Sequence, residues 1–415
     1  MKARATFLIL VLTFVVGGEM FGQTVSDSVI IDPTAVHIKP GHIAKDSMTQ
    51  ELEPLGIPKD RGLYLSTRDR LMQLHILGSV RFLALYDNEL LDRKNAFNTY
   101  EIPVDNHKSR IPNYYSSLDQ SRISFEVTRK TSGGNVFIRL ESDFAGSNGY
   151  RIRHAYASFG NFLVGQTWSL FSNVSSLPLT VDTNGPSGAA KVRTPQIRFR
   201  LPIDSKNTFY AALEYSVTEV EAVDTTGLEV IELNPDLTVR WDRVFDFGKI
   251  QFSGMFTTVA TKDADRNVRA SIVVGGGFFG TVNINEFAKI DFQIAYGNAI
   301  ARYVNVLDGQ NLDTTYDPVE KKYKPLVSYG GFISYGYKWS KRINTSLSLG
   351  LAGVDVKKYQ PSDAFRRSYS LSGDVFWKVV KGSRIGVEYS YGRRQDANND
   401  AGDASRIAAL FYYDF

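Results

Sequence analysis

The sequence predicts an all-β protein: a closed, antiparallel transmembrane β-barrel of about sixteen strands, preceded by an N-terminal periplasmic extension. Three observations lead there. The last stretch, Ser405–Phe415, alternates, with Ile407, Ala409, Phe411, Tyr413 and Phe415 on one parity and the mixed set Arg406, Ala408, Leu410, Tyr412 and Asp414 on the other. Period-two stretches of this kind recur along the chain after residue 72, and successive side chains of a strand point to opposite sheet faces. The connections between these stretches alternate long and short, as they do in a membrane barrel with loops outside and tight turns in the periplasm. A soluble sandwich or propeller has no reason to alternate this way.

The elements follow in order. Met1-Lys2-Ala3-Arg4, the apolar run Ala5–Val16 and the small-residue stretch to Gly22 have the form of a signal peptide over 1–22. The run is too short for the roughly 20 apolar residues that a membrane helix requires. Residues 23–72 are polar, carry Pro33, Pro40, Pro54 and Pro58, show no sustained heptad, and read as an extension without a fold of its own.

The barrel is expected over 73–415. Its clearest strand is Ile343–Gly353, with Ile343, Thr345, Leu347, Leu349 and Leu351 opposed to Asn344, Ser346, Ser348 and Gly350. Val327–Trp339, Ile250–Phe256, Ile290–Tyr296, Ile385–Tyr391 and Ile123–Val127 repeat the pattern, and weaker stretches fill the remainder. Tyr335, Tyr337, Trp339, Trp377, Phe411, Tyr413 and Phe415 gather near expected short-turn ends, the level at which amphipathic rings meet lipid headgroups.

Composition narrows the function. With no cysteine there is no disulfide framework, thiolate nucleophile, thiolate metal site or lipidated N-terminal Cys. The net charge is +4, about +3 without the first 22 residues, which gives no argument for a nucleic-acid partner. High Gly and aromatic content beside a mean hydropathy of -0.20 fits strands that are half polar, facing a watery lumen. The five histidines are scattered, and Asp396, Asn398, Asp400 and Asp403 lack the ordered Gly and downstream bidentate Glu of a calcium loop, so no metal or other cofactor is expected.

Arginine carries the functional signal. Arg122, Arg139, Arg151, Arg153, Arg198, Arg200 and Arg240 all fall on the polar parity of early strands and are expected to point into the lumen. Arg193 lies on the other parity from Arg198, which predicts a bulge around Pro195. Guanidinium groups keep their charge and grip carboxylates or phosphates bidentately, and rings of them make anion-selective pores. The competing reading is a braced wall in which Glu126, Glu141, Asp143, Asp242 and Glu388 neutralise them. Lysines fall mostly in loops and contribute less. The loop 172–192 is unusually apolar, with Val174, Leu177, Leu179 and Val181, and is expected to fold inward and face the arginines.

Arg153-His154-Ala155-Tyr156, Gly165-Gln166-Thr167-Trp168-Ser169, Leu177-Pro178, Val181-Asp182 and Gly185-Pro186, in that order and spacing, resemble the DcaP-like outer-membrane porins. The resemblance implies a homotrimeric, sixteen-stranded channel for small negatively charged solutes such as dicarboxylates. It also implies that Arg153, Gln166 and Trp168 belong to the narrow region and that the loop bearing Asp182 lines it. Phe415 resembles the terminal signal read by the barrel assembly machinery. The expectation is therefore passive, anion-favouring diffusion through an arginine-lined lumen in a Gram-negative outer membrane, with lipid, the assembly machinery and anionic solutes as partners, no enzymatic activity and no catalytic residue. The alternatives are a phosphate or oligoanion porin and an outer-membrane hydrolase.

Overall fold

A computed structural model describes residues 55–415 apart from 59, 105–109, 216 and 221–226. The signal-peptide stretch and most of the extension lie outside the described residues. In chain order the strands are β1 (Leu63–Ser66), β2 (Met72–Asp87), β3 (Asn113–Ser117), β4 (Arg122–Thr131), β5 (Gly134–Asp143), β6 (Arg151–Phe159) and β7 (Phe162–Trp168). There follow β8 (Arg193–Pro202), β9 (Asn207–Glu214), β10 (Glu229–Ile231), β11 (Asp236–Phe245), β12 (Gly248–Lys262), β13 (Val268–Asn283) and β14 (Ala288–Asn298). The last are β15 (Thr314–Asp317), β16 (Lys322–Pro325), β17 (Val327–Lys338), β18 (Ile343–Val354), β19 (Phe365–Trp377), β20 (Ser383–Asp396) and β21 (Ala401–Asp414).

Sixteen of them form the wall. From β4 onward each wall strand pairs antiparallel with the next, and β2 closes the ring by pairing with β21 on one side and β4 on the other. Closure removes every free sheet edge, which a spanning sheet requires because lipid offers backbone groups no partner. At the seam Gly78 and Phe415 exchange backbone hydrogen bonds of 3.0 and 2.9 Å. Below them β1 takes over the pairing with β2, from Leu63↔Ile76 to Ser66↔Gln73. The hairpin β15–β16 stands apart as its own two-stranded sheet.

Burial is inverted relative to a soluble fold. On β18, Leu347 and Leu349 are 55% and 54% exposed while Ser346 and Ser348 are 7% and 1%. A water-soluble sheet would bury the leucines; here the apolar face is the outer one, and the polar parity points into an enclosed lumen. The aromatic set Tyr335, Trp339, Trp377, Phe411, Tyr413 and Phe415 is exposed on that outer face.

Several boundaries differ from the sequence reading. β20 and β21 run to Asp396 and from Ala401, so the last long connection shrinks to 397–400. No bulge occurs at Pro195: β8 keeps unbroken register with β7 and β9, and Pro195 is tolerated because it sits at the strand's outer face near its start. The register shifts instead between Glu141 and Ser142 on β5, opposite Arg153, and between Phe365 and Arg367 on β19, while Gly165 keeps the register of β7 at a φ of +124° that a residue with a Cβ rarely adopts. The extension is not all featureless, since Leu55 and Ile57 are 5% and 4% exposed and β1 is paired.

Candidate functional site

The lumen is crossed by chain, and the wall supplies partners for that chain's backbone. After β7 the loop 169–192 leaves the wall. Gln251 on β12 donates to Ser172 O (3.1 Å), Gln293 on β14 accepts from Ala190 N (2.8 Å), and Ser346 on β18 donates to Leu179 O (2.6 Å). Asp374 on β19 accepts from Val181 N and Glu388 on β20 from Asp182 N, each at 2.8 Å. Five wall strands thus satisfy a buried loop that has no ladder of its own, as buried peptide groups require. Val174, Leu177 and Ala189 of the loop pack with Trp168 and with Phe332 of β17.

Two further connections enter the lumen, and their sequences gave little sign of it. In the first, Thr99 meets Ser368 at 2.7 Å, and Leu91, Phe97 and Ile102 cluster with Ala404. Phe97 N donates to Asp182 Oδ2 at 2.5 Å, so Asp182 ties the first loop to the third. In the other, Ile300–Leu307 is buried, and Arg302 is clamped by Asp236 (3.0 Å) and Asp313 (2.8 Å).

These insertions leave a cavity of about 830 Å³ against β6 and β7, on the long-loop side. Arg93, Lys94, Arg151, Arg153, Lys191 and Arg193 line it, with Asp92 and Asp308 as the acids and Gln120, Gln166, Trp168, Asn184 and Asn305 among the neutral residues. The guanidinium of Arg193 lies 3.5 Å from the centre of the Trp168 ring, a stacked cation–π contact that holds its charge at the cavity edge. Lys191 donates to Thr183 O and sits 5.8 Å from the same ring. The lysine contribution is larger than the sequence suggested, because the first and third loops fold back and carry Lys94 and Lys191 to the cavity.

The sequence-chosen residues divide into three groups. Arg151, Arg153, Gln166, Trp168 and Arg193 border the cavity. Arg122, Arg139, Arg198 and Arg240 lie on the inner wall away from it: Arg139 pairs with Glu141 (2.5 Å) and Glu126 (3.8 Å), Arg240 with Asp242 (2.6 Å), and Arg198 reaches Gln196 and the carbonyl of Trp168. Arg200 is half-buried near the short turn that follows β8. Asp182 is buried and serves as the bracket described above rather than standing at the cavity wall.

Arg153 joins Glu141 (2.9 Å) and Asp143 (3.0 Å), and Arg151 grips Asp143 bidentately at 2.9 and 2.7 Å. The braced-wall reading therefore holds for Arg139, Arg151, Arg153 and Arg240. On the loops Arg93 is likewise paired, with Glu101 at 3.0 Å, and Lys94 and Lys191 bring further positive charge to the cavity lining. Arg81, buried on β2 between Val80 and Phe82, was missed although its alternating context marks it as inward.

Outside the wall, Glu219 accepts from the amides of Gly309 (2.6 Å), Gln310 and Asn311 (both 3.1 Å). Burial, with Asp313 and Asp308 nearby, pushes its carboxyl up to about 7 despite those donors. Among the described residues no group of carboxylates and histidines has the arrangement of a metal site.

The DcaP outer membrane protein family matches residues 66–415. In three dimensions the chain is similar to the outer membrane channel DcaP of Acinetobacter baumannii, with a TM-score of 0.73 at 19% identity over 85% of this chain and 99% of that one. It is also similar to an anion-selective porin from Comamonas acidovorans (TM-score 0.53, 10% identity, 83% and 100% covered). The OmpF of Salmonella typhi gives 0.55 at 9% identity, covering 85% of this chain and all of that one. No curated protein matches the chain. The inverted barrel and the family match lead to one conclusion: the chain is a channel protein of a Gram-negative outer membrane and belongs to the DcaP outer membrane protein family.

Proposed function

We propose that the barrel is a passive diffusion channel that favours small anionic solutes, dicarboxylates among them. The observation that carries this reading is the cavity's charge: six cationic side chains from three parts of the chain face one space with two acids. Water-filled but narrow, such a space concentrates anions, and the attraction weakens as salt rises. Guanidinium forks suit planar carboxylates, and an α,ω-dicarboxylate can engage Arg151 or Arg153 at one end and Lys191 or Arg193 at the other. Diffusion needs no cofactor. The family resemblance supports a homotrimer, which the mass of the detergent-extracted protein tests.

The reading is tested by the reversal potential of the reconstituted channel in a KCl gradient, for wild type and for the triple variant Lys94→Ser, Lys191→Ser, Arg193→Ser. Wild type is expected to favour chloride, and the variant's anion-to-cation permeability ratio should fall several-fold. A ratio near one in wild type, or no change in the variant, overturns it.

A further inference from the structure

The outer face of β19 and β20 changes character at its long-loop end. Odd-numbered residues of both strands face out and pair in rows: Val375 beside Val387, Leu371 beside Tyr391, Tyr369 beside Arg393, Arg367 beside Gln395. From the Trp377 row to the Tyr369 row the strand rises ~26 Å, or roughly 20 Å along the membrane normal at a typical barrel tilt. Tyr369 and Tyr389, both exposed, therefore mark the aromatic belt opposite the one that holds Trp377. Arg393 and Arg367 stand at this belt and one row beyond it, and both are exposed. A backbone irregularity adds a third arginine. At the register shift between Phe365 and Arg367 the extra residue, Arg366, is exposed beside Arg367 instead of alternating inward.

These charges are not spent on carboxylates. Arg367 Nε donates to Gln395 Oε1 (2.9 Å) and Arg366 Nη1 to Asn399 Oδ1 (3.2 Å), both neutral amides. Arg393 has no hydrogen-bond or ion-pair partner among the described residues. Asp403, opposite Arg393 in register, is held by Arg110 (2.6 Å), and Asp355, just past the end of β18, by Lys357 (2.8 Å). Arg367 and Arg393 are diagonal neighbours on one face, with Cβ atoms about 7–8 Å apart, so their guanidinium forks can converge on one phosphate group. Towards the middle of the membrane the same face is apolar and exposed, with Leu349, Leu351, Leu371 and Ile407.

We propose that Arg366, Arg367 and Arg393 bind the phosphate of an acylated, phosphorylated glycolipid in the outer leaflet, whose acyl chains lie along the leucine face beneath them. Headgroup charge and tail are matched at the two levels where a leaflet lipid presents them. A free phosphate ion would use the arginines but not the apolar face. The site lies on the lipid side of the wall and does not depend on what the pore conducts.

The full-length protein is extracted, stripped of lipid, confirmed as folded by heat-modifiable mobility, and titrated with lipid A under native mass spectrometry. Bisphosphorylated lipid A should be retained several-fold better than its dephosphorylated form, and ten millimolar inorganic phosphate should not displace it. Arg366→Ser with Arg367→Ser and Arg393→Ser should abolish the preference. Arg342→Ser, in an exposed short turn on the opposite rim, should leave it as in wild type. Equal retention of the two lipids by wild type, or a preference that survives the triple variant, overturns the proposal. So does its loss in Arg342→Ser, which would make the effect one of total charge. Displacement by inorganic phosphate would assign the arginines to the free ion and overturns the lipid site. A triple variant that keeps the lipid preference but loses oligomeric mass would make this face a contact between copies, which overturns it as well.

Discussion

The two sides of the lumen wall solve opposite problems. From β4 to β8 the inner face carries large charged side chains, with Arg139, Arg151 and Arg153 interlocked with Glu126, Glu141 and Asp143. From β17 to β19 it is mostly small, with Ser328, Gly330, Ser334, Ser346, Ser348, Gly350, Ser368, Ser370 and Ser372 all buried and Phe332, Asp374 and Phe376 as large residues among them. The small side accepts the inserted loops at backbone distance: a Cβ at Gly350 would collide with Ser187 O, and one at Gly330 with Gly188 O. The charged side cannot be approached so closely, and the cavity remains there. The opening thus sits off centre because side-chain size differs across the wall, and it opens on the face that carries charge.

Filling the small side should have the largest effect. Gly188, at φ +88° with Leu351 O and Gly331 N where a Cβ would go, tolerates no β-branched residue. Gly188→Val should cost on the order of 1–3 kcal/mol locally and unseat the crossing loop. Single-channel conductance should rise several-fold and trypsin should gain access to Lys191; an unchanged conductance would mean that the loop does not set the pore.

On the charged side, the network balances three arginines with three carboxylates. Arg153→Ser leaves an excess carboxylate beside the cavity and should lower the anion-to-cation permeability ratio several-fold, whereas adding Asp143→Asn should restore much of it. Arg198→Ser with Arg200→Ser should lower the ratio less, since Arg198 is engaged with amide oxygens and lies away from the cavity. Both ratios follow from the same reversal-potential measurement.

The smallest effect concerns the external loops. A Glu219 carboxyl raised to about 7 holds its proton more tightly in the folded loop than when the loop opens, so loop stability is full below about pH 4.5 and falls as pH rises towards 7. Asp308 and Asp313, themselves raised by burial, and Arg93, whose Nη2 donates to Asp308 O, are the charged groups around it. Hydrogen exchange at the amides of Gly309–Asn311, corrected for intrinsic rates, should lose protection over that window in wild type. In Glu219→Gln it should be flat.

Much of the wall was legible because period-two alternation survives in single residues: Arg139 and Arg240 each stand between apolar neighbours, Arg122 precedes Ile123, and all three point inward. The cavity was legible in part. Arg151 and Arg153 reach it through the β5–β6 bulge, which alternation alone cannot locate, and Trp168 and Arg193, paired at the ends of β7 and β8, reach it from the parity that elsewhere faces out. Lys94, Lys191 and Arg93 arrive on loops whose path depends on small residues some 150 to 300 positions away. Leu55 has no local signal either, since its burial is decided by Leu83, Leu410 and Val181 jointly.

The seam between the first and last wall strands has a mechanical consequence. The Phe415 ring occupies the space above Gly78, Asp414 O holds Arg61, and β1 continues the pairing where β21 stops. The closing joint of the barrel and the segment that leads into β2 are therefore fastened by the same few bonds. Fraying of that joint at the C-terminal residue therefore loosens the lead-in segment with it, so the two ends of the chain hold or let go together.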